Sequence, residues 1–294
     1  MPVQACAIVA CAACVKRTGF DSFGNEARSS EMTVDKKVMN RATLGALALV
    51  AMTGSAAVAG TVQIQVNVEN LAPTNSVAFA PLRVGFHNGT YDSFDNGAVA
   101  TDAIVSIAEG GSGSEWFPAF AAADPSATLG TIAADAGGPL LAGGTGSAIF
   151  DIDPTTNQFF SFGSMVVPSN DFFIGNDSST AYQLFDESGN LLISEITQYG
   201  RDVWDAGSEV NGAFGAAFLA GSMNADRIAE NGTVSFDFEG LDVFNGLTTG
   251  AGYEFDRQFG GDDAIYRISF QVVPAPGSAL ALGLGGLAVV RRRR

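Results

Sequence analysis

The sequence predicts a mainly all-β fold, an antiparallel β-sandwich with one short helix. Three observations carry this: segments that alternate apolar and polar residues, Gly- and Asn-centred turns between them, and 22 phenylalanines to fill a core. Thr61 to Glu69 alternates strictly, with Val62, Ile64, Val66 and Val68 on one face and Gln63, Gln65, Asn67 and Glu69 on the other. That period of two marks a half-buried antiparallel strand. Turns follow at Asn88-Gly89 and Asp95-Asn96-Gly97. Ala98 to Glu109 changes period, placing Ala100, Ile104, Ile107 and Ala108 on one stripe before Gly110, and reads as a single helix closing one side or end of the sandwich. Ala121 to Gly146 is rich in Gly and Ala without periodicity and reads as a long loop or a loose hairpin. The strand period returns at Ala148, Phe150 and Ile152, at Val234, Phe236 and Phe238, and at Tyr266, Ile268, Phe270 and Val272. Ser188-Gly189-Asn190 and Asn231-Gly232 supply further turns. Phe159, Phe160, Phe162, Phe172 and Phe173 crowd one stretch, which suits core packing better than an exposed aromatic platform.

Both ends read as addresses. Met39-Asn40-Arg41 precedes an apolar run from Ala42 to Met52 and the small residues Ala57-Val58-Ala59, so residues 39–59 fit a secretory signal peptide cut after Ala59. Residues 1–38 then form an extended leader or lie upstream of a true start at Met32 or Met39, and they hold all three cysteines, Cys6, Cys11 and Cys14. The exported body would have neither disulfide nor thiol. At the other end Val273-Pro274-Ala275-Pro276-Gly277 leads into an apolar run, Ser278 to Val290, and four arginines, Arg291 to Arg294. The run is shorter than the roughly 20 residues of an unassisted membrane helix. A proline break, a short apolar span and terminal arginines resemble the PEP-CTERM sorting signal over residues 274–294, with Ala275 in place of the usual Glu. The resemblance implies a Gram-negative bacterium, an exosortase-type processing enzyme, and membrane contact only transiently through the tail.

Between Gly60 and Pro276 there are 27 acids against five arginines and no lysine, a net charge of −22. Such a body repels phosphate backbones, which excludes nucleic acid as a partner, and attracts divalent cations. The one histidine, His87, beside the Asn88-Gly89 turn, reads as structural. Without cysteine, a Gly-x-Ser-x-Gly elbow or lysine, the body offers no nucleophilic triad and no phosphate loop. One imidazole is too few nitrogen ligands for zinc. Paired carboxylates for glycoside hydrolysis have no fixed sequence spacing, so a secreted hydrolase acting on polysaccharide stays open as an alternative, as does a purely structural matrix protein. Asn88, Asn176 and Asn231 lie in glycosylation-type triplets and read as turn residues.

Ser164-Met165-Val166-Val167-Pro168-Ser169-Asn170-Asp171-Phe172-Phe173-Ile174-Gly175-Asn176-Asp177 resembles the central motif of the spondin N-terminal domain, and Trp204-Asp205-Ala206-Gly207-Ser208-Glu209 is similar to its second motif. Ala80 to Gly89 and Ile107 to Gly110 resemble the bacterial branch, so the likeness runs from about Thr61 to Val272, within a domain at 60–273. Departures are Asn170 for a proline, Phe172 for a tryptophan and Glu209 for an aspartate. The resemblance implies a C2-like sandwich with a divalent cation, calcium, in loops at one end, bound by Asp171, Asp177, Asp205 and Glu209. It further implies a secreted, non-enzymatic protein of cell-surface or matrix adhesion whose partner is an extracellular polymer or a cell-surface component. Hard loop carboxylates suit calcium, and without an ion they would repel and raise one another's pKa. Asp151, Asp153, Asp186, Glu187, Asp262 and Asp263 read as turn or surface acids.

Overall fold

The alternating stretch at the start of the body forms strand β1 (Val62–Asn70) in the computed structural model, which describes residues 60–274. The leader and signal segment lie outside those residues, as does the sorting tail from residue 275 onward. Ile64, Val66 and Val68 are buried and the intervening polar residues are half-exposed, as a one-sided sheet demands. Around β1 a four-stranded sheet assembles with β5 (Thr145–Ile152) on one side, β11 (Ala264–Val273) on the other and β8 (Glu195–Tyr199) beyond it. Register pairs Val66 with Phe270 and Ala148, so the apolar positions of three strands share a face.

A second sheet contains β2 (Ala78–Phe79), β3 (Leu82–His87), β4 (Thr128–Ile132), β6 (Phe159–Val167), β7 (Phe172–Gly175), β9 (Trp204–Asp205) and β10 (Ser235–Phe236). Its order is β10-β9-β7-β6-β3-β4, with β2 beside β6, and the strand pairs of both sheets are antiparallel. Val84, Phe86, Phe160, Phe162, Phe172 and Ile174 meet Ile64, Val66, Ile268 and Phe270 of the first sheet in one core. This is the expected sandwich, and the phenylalanine-rich stretch lies inside it.

The outer face of the second sheet is also covered. Helix α1 (Asp102–Gly110) and helix α2 (Trp116–Ala123) bury Ile104, Ile107, Trp116 and Phe120 against Phe173 and Trp204 in a second core. The expectation of one helix is therefore corrected to two. α1 starts later than Ala98, because the Thr101 hydroxyl caps it by accepting the Ile104 N–H at 3.3 Å. Gly110 is its last helical residue, and Gly111 at φ 56° turns the chain away. The second helix, Trp-Phe-Pro-Ala-Phe-Ala-Ala-Ala, carries too little polar contrast to show a stripe in sequence.

The long-loop expectation for Ala121 to Gly146 is likewise corrected. Residues 121–123 finish α2, Thr128 to Ile132 pair as β4 with β3, and Thr145 and Gly146 begin β5. β4 is an edge strand in which only Ile132 is buried, so no alternation was written into it. The Val234–Phe238 run shrinks to the two residues of β10, limited by its two-residue partner β9. No helix among the described residues is long and apolar enough to cross a membrane.

Candidate functional site

The carboxylate site grows from the start of β7. Asp171 precedes that strand, and the Asp171 carbonyl accepts the Ala206 N–H at 3.2 Å while Phe172 pairs with Asp205. The chain then turns at Gly207, φ 64°, where a Cβ would sit 2.7 Å from the Thr233 nitrogen, so only glycine fits. The turn delivers three donors to Asp171 Oδ2: the Ser208 N–H at 2.7 Å, the Ser208 hydroxyl at 3.1 Å and the Glu209 N–H at 2.9 Å. Asp171 is fully buried, and its Oδ1 has no partner. Burial, and then the neighbouring Asp205 charge, push its pKa up to about 6, against those three hydrogen bonds.

Asp205 is half-buried, and burial raises its pKa as well. Its Oδ1 accepts the Gly207 N–H at 2.6 Å and its Oδ2 accepts Asn211 Nδ2 at 2.7 Å. Asn211 Oδ1 is buried without a partner. Asn170, fully buried, ties down the same loop by donating to the Phe214 carbonyl at 3.0 Å and accepting the Gly212 N–H at 2.9 Å. Its amide supplies a donor and an acceptor that a proline there could not. Asn170 and Asn211 were not anticipated; the only signal was the departure from proline at position 170.

Glu209 lends its backbone to Asp171 but sends its side chain elsewhere. Its Oε1 lies 3.4 Å from Arg227, which also meets Glu109 Oε2 at 3.3 Å and the Glu109 carbonyl at 2.8 Å. Burial and the Glu109 charge raise Glu209 to about 7, with Arg227 opposing, and Glu209 Oε2 has no partner. Asp177 is exposed and follows the far end of β7. Four strand residues at about 3.3 Å each separate it from Asp171 by roughly 13 Å or more. The structure therefore brings Asp171 and Asp205 together, engages Glu209 with Arg227, and sets Asp177 apart in another cavity.

Among the described residues, no group of three or more His, Cys, Asp or Glu side chains is placed to hold a metal ion. An ion at this end would have to use the Asp171–Asp205 pair with neutral oxygens such as Asn211 Oδ1, an all-oxygen set without His or Cys that suits calcium better than zinc. Elsewhere the acids serve turns and surface pairs: Asp153 accepts from Thr155, Asp186 from Ser188 and Asn190, and Asp262 pairs with Arg201. His87 is fully buried and structural. Its Nδ1 accepts the Gly89 N–H at 3.1 Å, which leaves the Nε2 proton for Ser161 Oγ at 3.0 Å. Burial lowers its pKa to about 4, with Asp124 opposing.

Comparison with curated proteins finds no match to the chain. The family model Spondin_N matches residues 69–223, a span that contains α1, both sequence motifs, the Asp171–Asp205 pair and the Asn170–Phe214 loop anchor. The chain belongs to the Spondin_N family.

Proposed function

We propose that this chain is a secreted, non-enzymatic, calcium-binding β-sandwich protein that acts in cell-surface or extracellular-matrix adhesion, with an extracellular polymer or a cell-surface component as its partner. Spondin_N domains are typically extracellular, and the family is not a known enzyme family. The observation that carries the calcium reading is the buried, unpartnered Oδ1 of Asp171 beside a second carboxylate. A native buried oxygen without a partner calls for a missing water or ion. Asp171, Asp205 and Asn211 would hold the ion, which would supply the positive charge that this acid pair lacks. Calcium would then order the loop that follows. That loop and the segment it bridges at Ala229 expose Val210, Phe214 and Ile228 at 43%, 76% and 58%, an apolar surface suited to contact. Residues 39–59 as signal peptide and residues 274–294 as a PEP-CTERM-like tail for an exosortase-type enzyme complete the proposal, on sequence pattern alone.

Thermal unfolding of the full chain in calcium and in chelator tests it. At about one hundred times the dissociation constant, a bound ion adds roughly 2.7 kcal/mol and raises the midpoint. Magnesium, which demands a tighter octahedral shell, should not reproduce the shift. Asp171→Ala and Asp205→Ala should each abolish it, and a calcium shift unchanged in both variants removes the site. Release of reducing ends from a glycan panel would instead place the chain among hydrolases.

A further inference from the structure

At the far end of β7 a cavity of about 300 Å³ opens between the edges of the two sheets. It is lined by Asp177, Tyr182, Gln198, Tyr199, Asp202 and Phe236 among others. We infer that this cavity binds a single neutral pyranose unit of a polysaccharide. The inference takes only the polymer partner from the proposal above, and nothing from calcium.

A pyranose presents C–H groups on its ring faces and hydroxyls around its rim. Such a ligand needs an aromatic face below and hydrogen-bonding groups at the sides. Phe236 is 51% exposed, and its ring is backed by Trp204 at 3.6 Å between centroids, so it is an accessible and rigid platform. Around it stand the carboxylates of Asp177 and Asp202, the phenols of Tyr182 and Tyr199, and the amide of Gln198. Gln198 is 3% exposed; its Nε2 donates to the Tyr182 hydroxyl at 3.3 Å, while its Oε1 is buried without a partner. The volume lies at the bottom of the range for small-molecule sites, which fits one sugar ring rather than a larger ligand.

Charge narrows the class. The carboxylates of Asp177 and Asp202 would repel uronate or sulfated sugars, and the Arg201 charge is already paired with Asp262 and laid over Tyr199. An organic ammonium would suit the Phe236 face and the two carboxylates but would leave the Tyr182 and Tyr199 hydroxyls without use, whereas the hydroxyls of a sugar ring engage them as well. A hydroxyl-rich neutral ring satisfies both constraints.

The test is titration of the full chain with the methyl pyranosides of glucose, galactose, mannose and N-acetylglucosamine, by calorimetry and saturation-transfer NMR. Galacturonic acid and tetramethylammonium serve as charged probes. Saturable binding of at least one neutral glycoside in chelator supports the inference. So does a loss of about tenfold or more in affinity in Phe236→Ala and in Asp177→Asn. Asp177 is an exposed turn residue, so its isosteric replacement leaves the fold intact even if Phe236→Ala does not. Binding of no neutral glycoside, preference for either charged probe, or affinity unchanged in Asp177→Asn overturns it. Neutral-sugar binding lost in chelator, or lost in Asp171→Asn, would move the contact to the calcium end and also overturn it. A missing calcium shift with sugar binding intact would instead sink only the calcium reading.

Discussion

Asp171 sets two demands against each other. Three hydrogen bonds to Oδ2 favour its carboxylate, while burial and the Asp205 charge favour its acid form, and the second pair prevails at a pKa of about 6. The folded state without metal therefore holds a proton that the unfolded chain releases near 3.8. The associated stability is fully present below pH 4 and is lost as pH rises through 6. Two pH units at about 1.4 kcal/mol each make this roughly 3 kcal/mol. Glu209, raised to about 7, extends the loss in the same direction. His87 acts oppositely: its folded pKa of about 4 lies below the ordinary 6.5, so its contribution is present above 6.5 and lost as pH falls through 4. Comparison with Asp171→Asn isolates the first effect. In chelator, the unfolding free energy of the variant minus that of the native chain should rise between pH 4 and 6.5, as measured by urea titration; a difference flat with pH removes the assignment. Asp171 and Asp205 stood out in sequence because the segments around them resemble the two spondin N-terminal motifs. Asn170 and Asn211 carry no charge and make no pattern, and the Glu209–Arg227 pair exists only once two distant turns meet.

At the scale of elements, the helices owe their position to two glycines. A Cβ on Gly85 would lie 2.5 Å from the Phe120 ring, and one on Gly163 would lie 2.8 Å from Ile107 Cδ1. The missing side chains let α1 and α2 lie directly on the second sheet, so β6 is buried over nearly its whole length. Phe120 cannot step aside, because Trp116, Tyr91 and His87 surround its ring at centroid distances of 4.8, 4.1 and 5.0 Å. Gly85→Ala should therefore destabilise the protein by about 1–3 kcal/mol, the range for overpacking a filled core, and lower the thermal midpoint. Gly163→Ala should cost less, since a terminal methyl of Ile107 can turn away; an equal or larger loss would show that α1 is held as rigidly as α2. The same layering explains which elements could be read from sequence. β1 and β11 bury one face and wet the other, so they alternate. β6 buries both faces, so its apolar residues fall on both and Ser161 and Ser164 are buried among them, β4 sits at an edge with one buried residue, and α2 is apolar almost all round. None of these three writes a clear period into its residues.

Across the whole molecule, charge is out of balance. Four of the five arginines of the body are engaged with acids: Arg201 with Asp262, Arg227 with Glu109 and Glu209, Arg257 with Asp242, and Arg267 with Glu69 and Glu195. Arg83 instead donates to the Thr131 hydroxyl at 2.7 Å and the Gly111 carbonyl at 2.5 Å, joining β3 to β4 and to the end of α1. With 27 acids in the same span, most carboxylates are left without a cation. Exposed ion pairs contribute only about 0–1 kcal/mol each, so self-repulsion is the larger electrostatic force on this fold. Sodium chloride should accordingly stabilise it. Raising ionic strength from about 0.01 to 1 M shortens the screening length from roughly 30 to 3 Å, which removes most of the repulsion between separated surface charges. The thermal midpoint should climb over that range and then level off, and Asp171→Ala should show the same climb, because screening acts on the whole surface. A specific calcium shift behaves differently: at constant ionic strength it should persist in the native chain and vanish in the variant. A midpoint that falls as salt is added would mean that the few ion pairs outweigh the excess of acids.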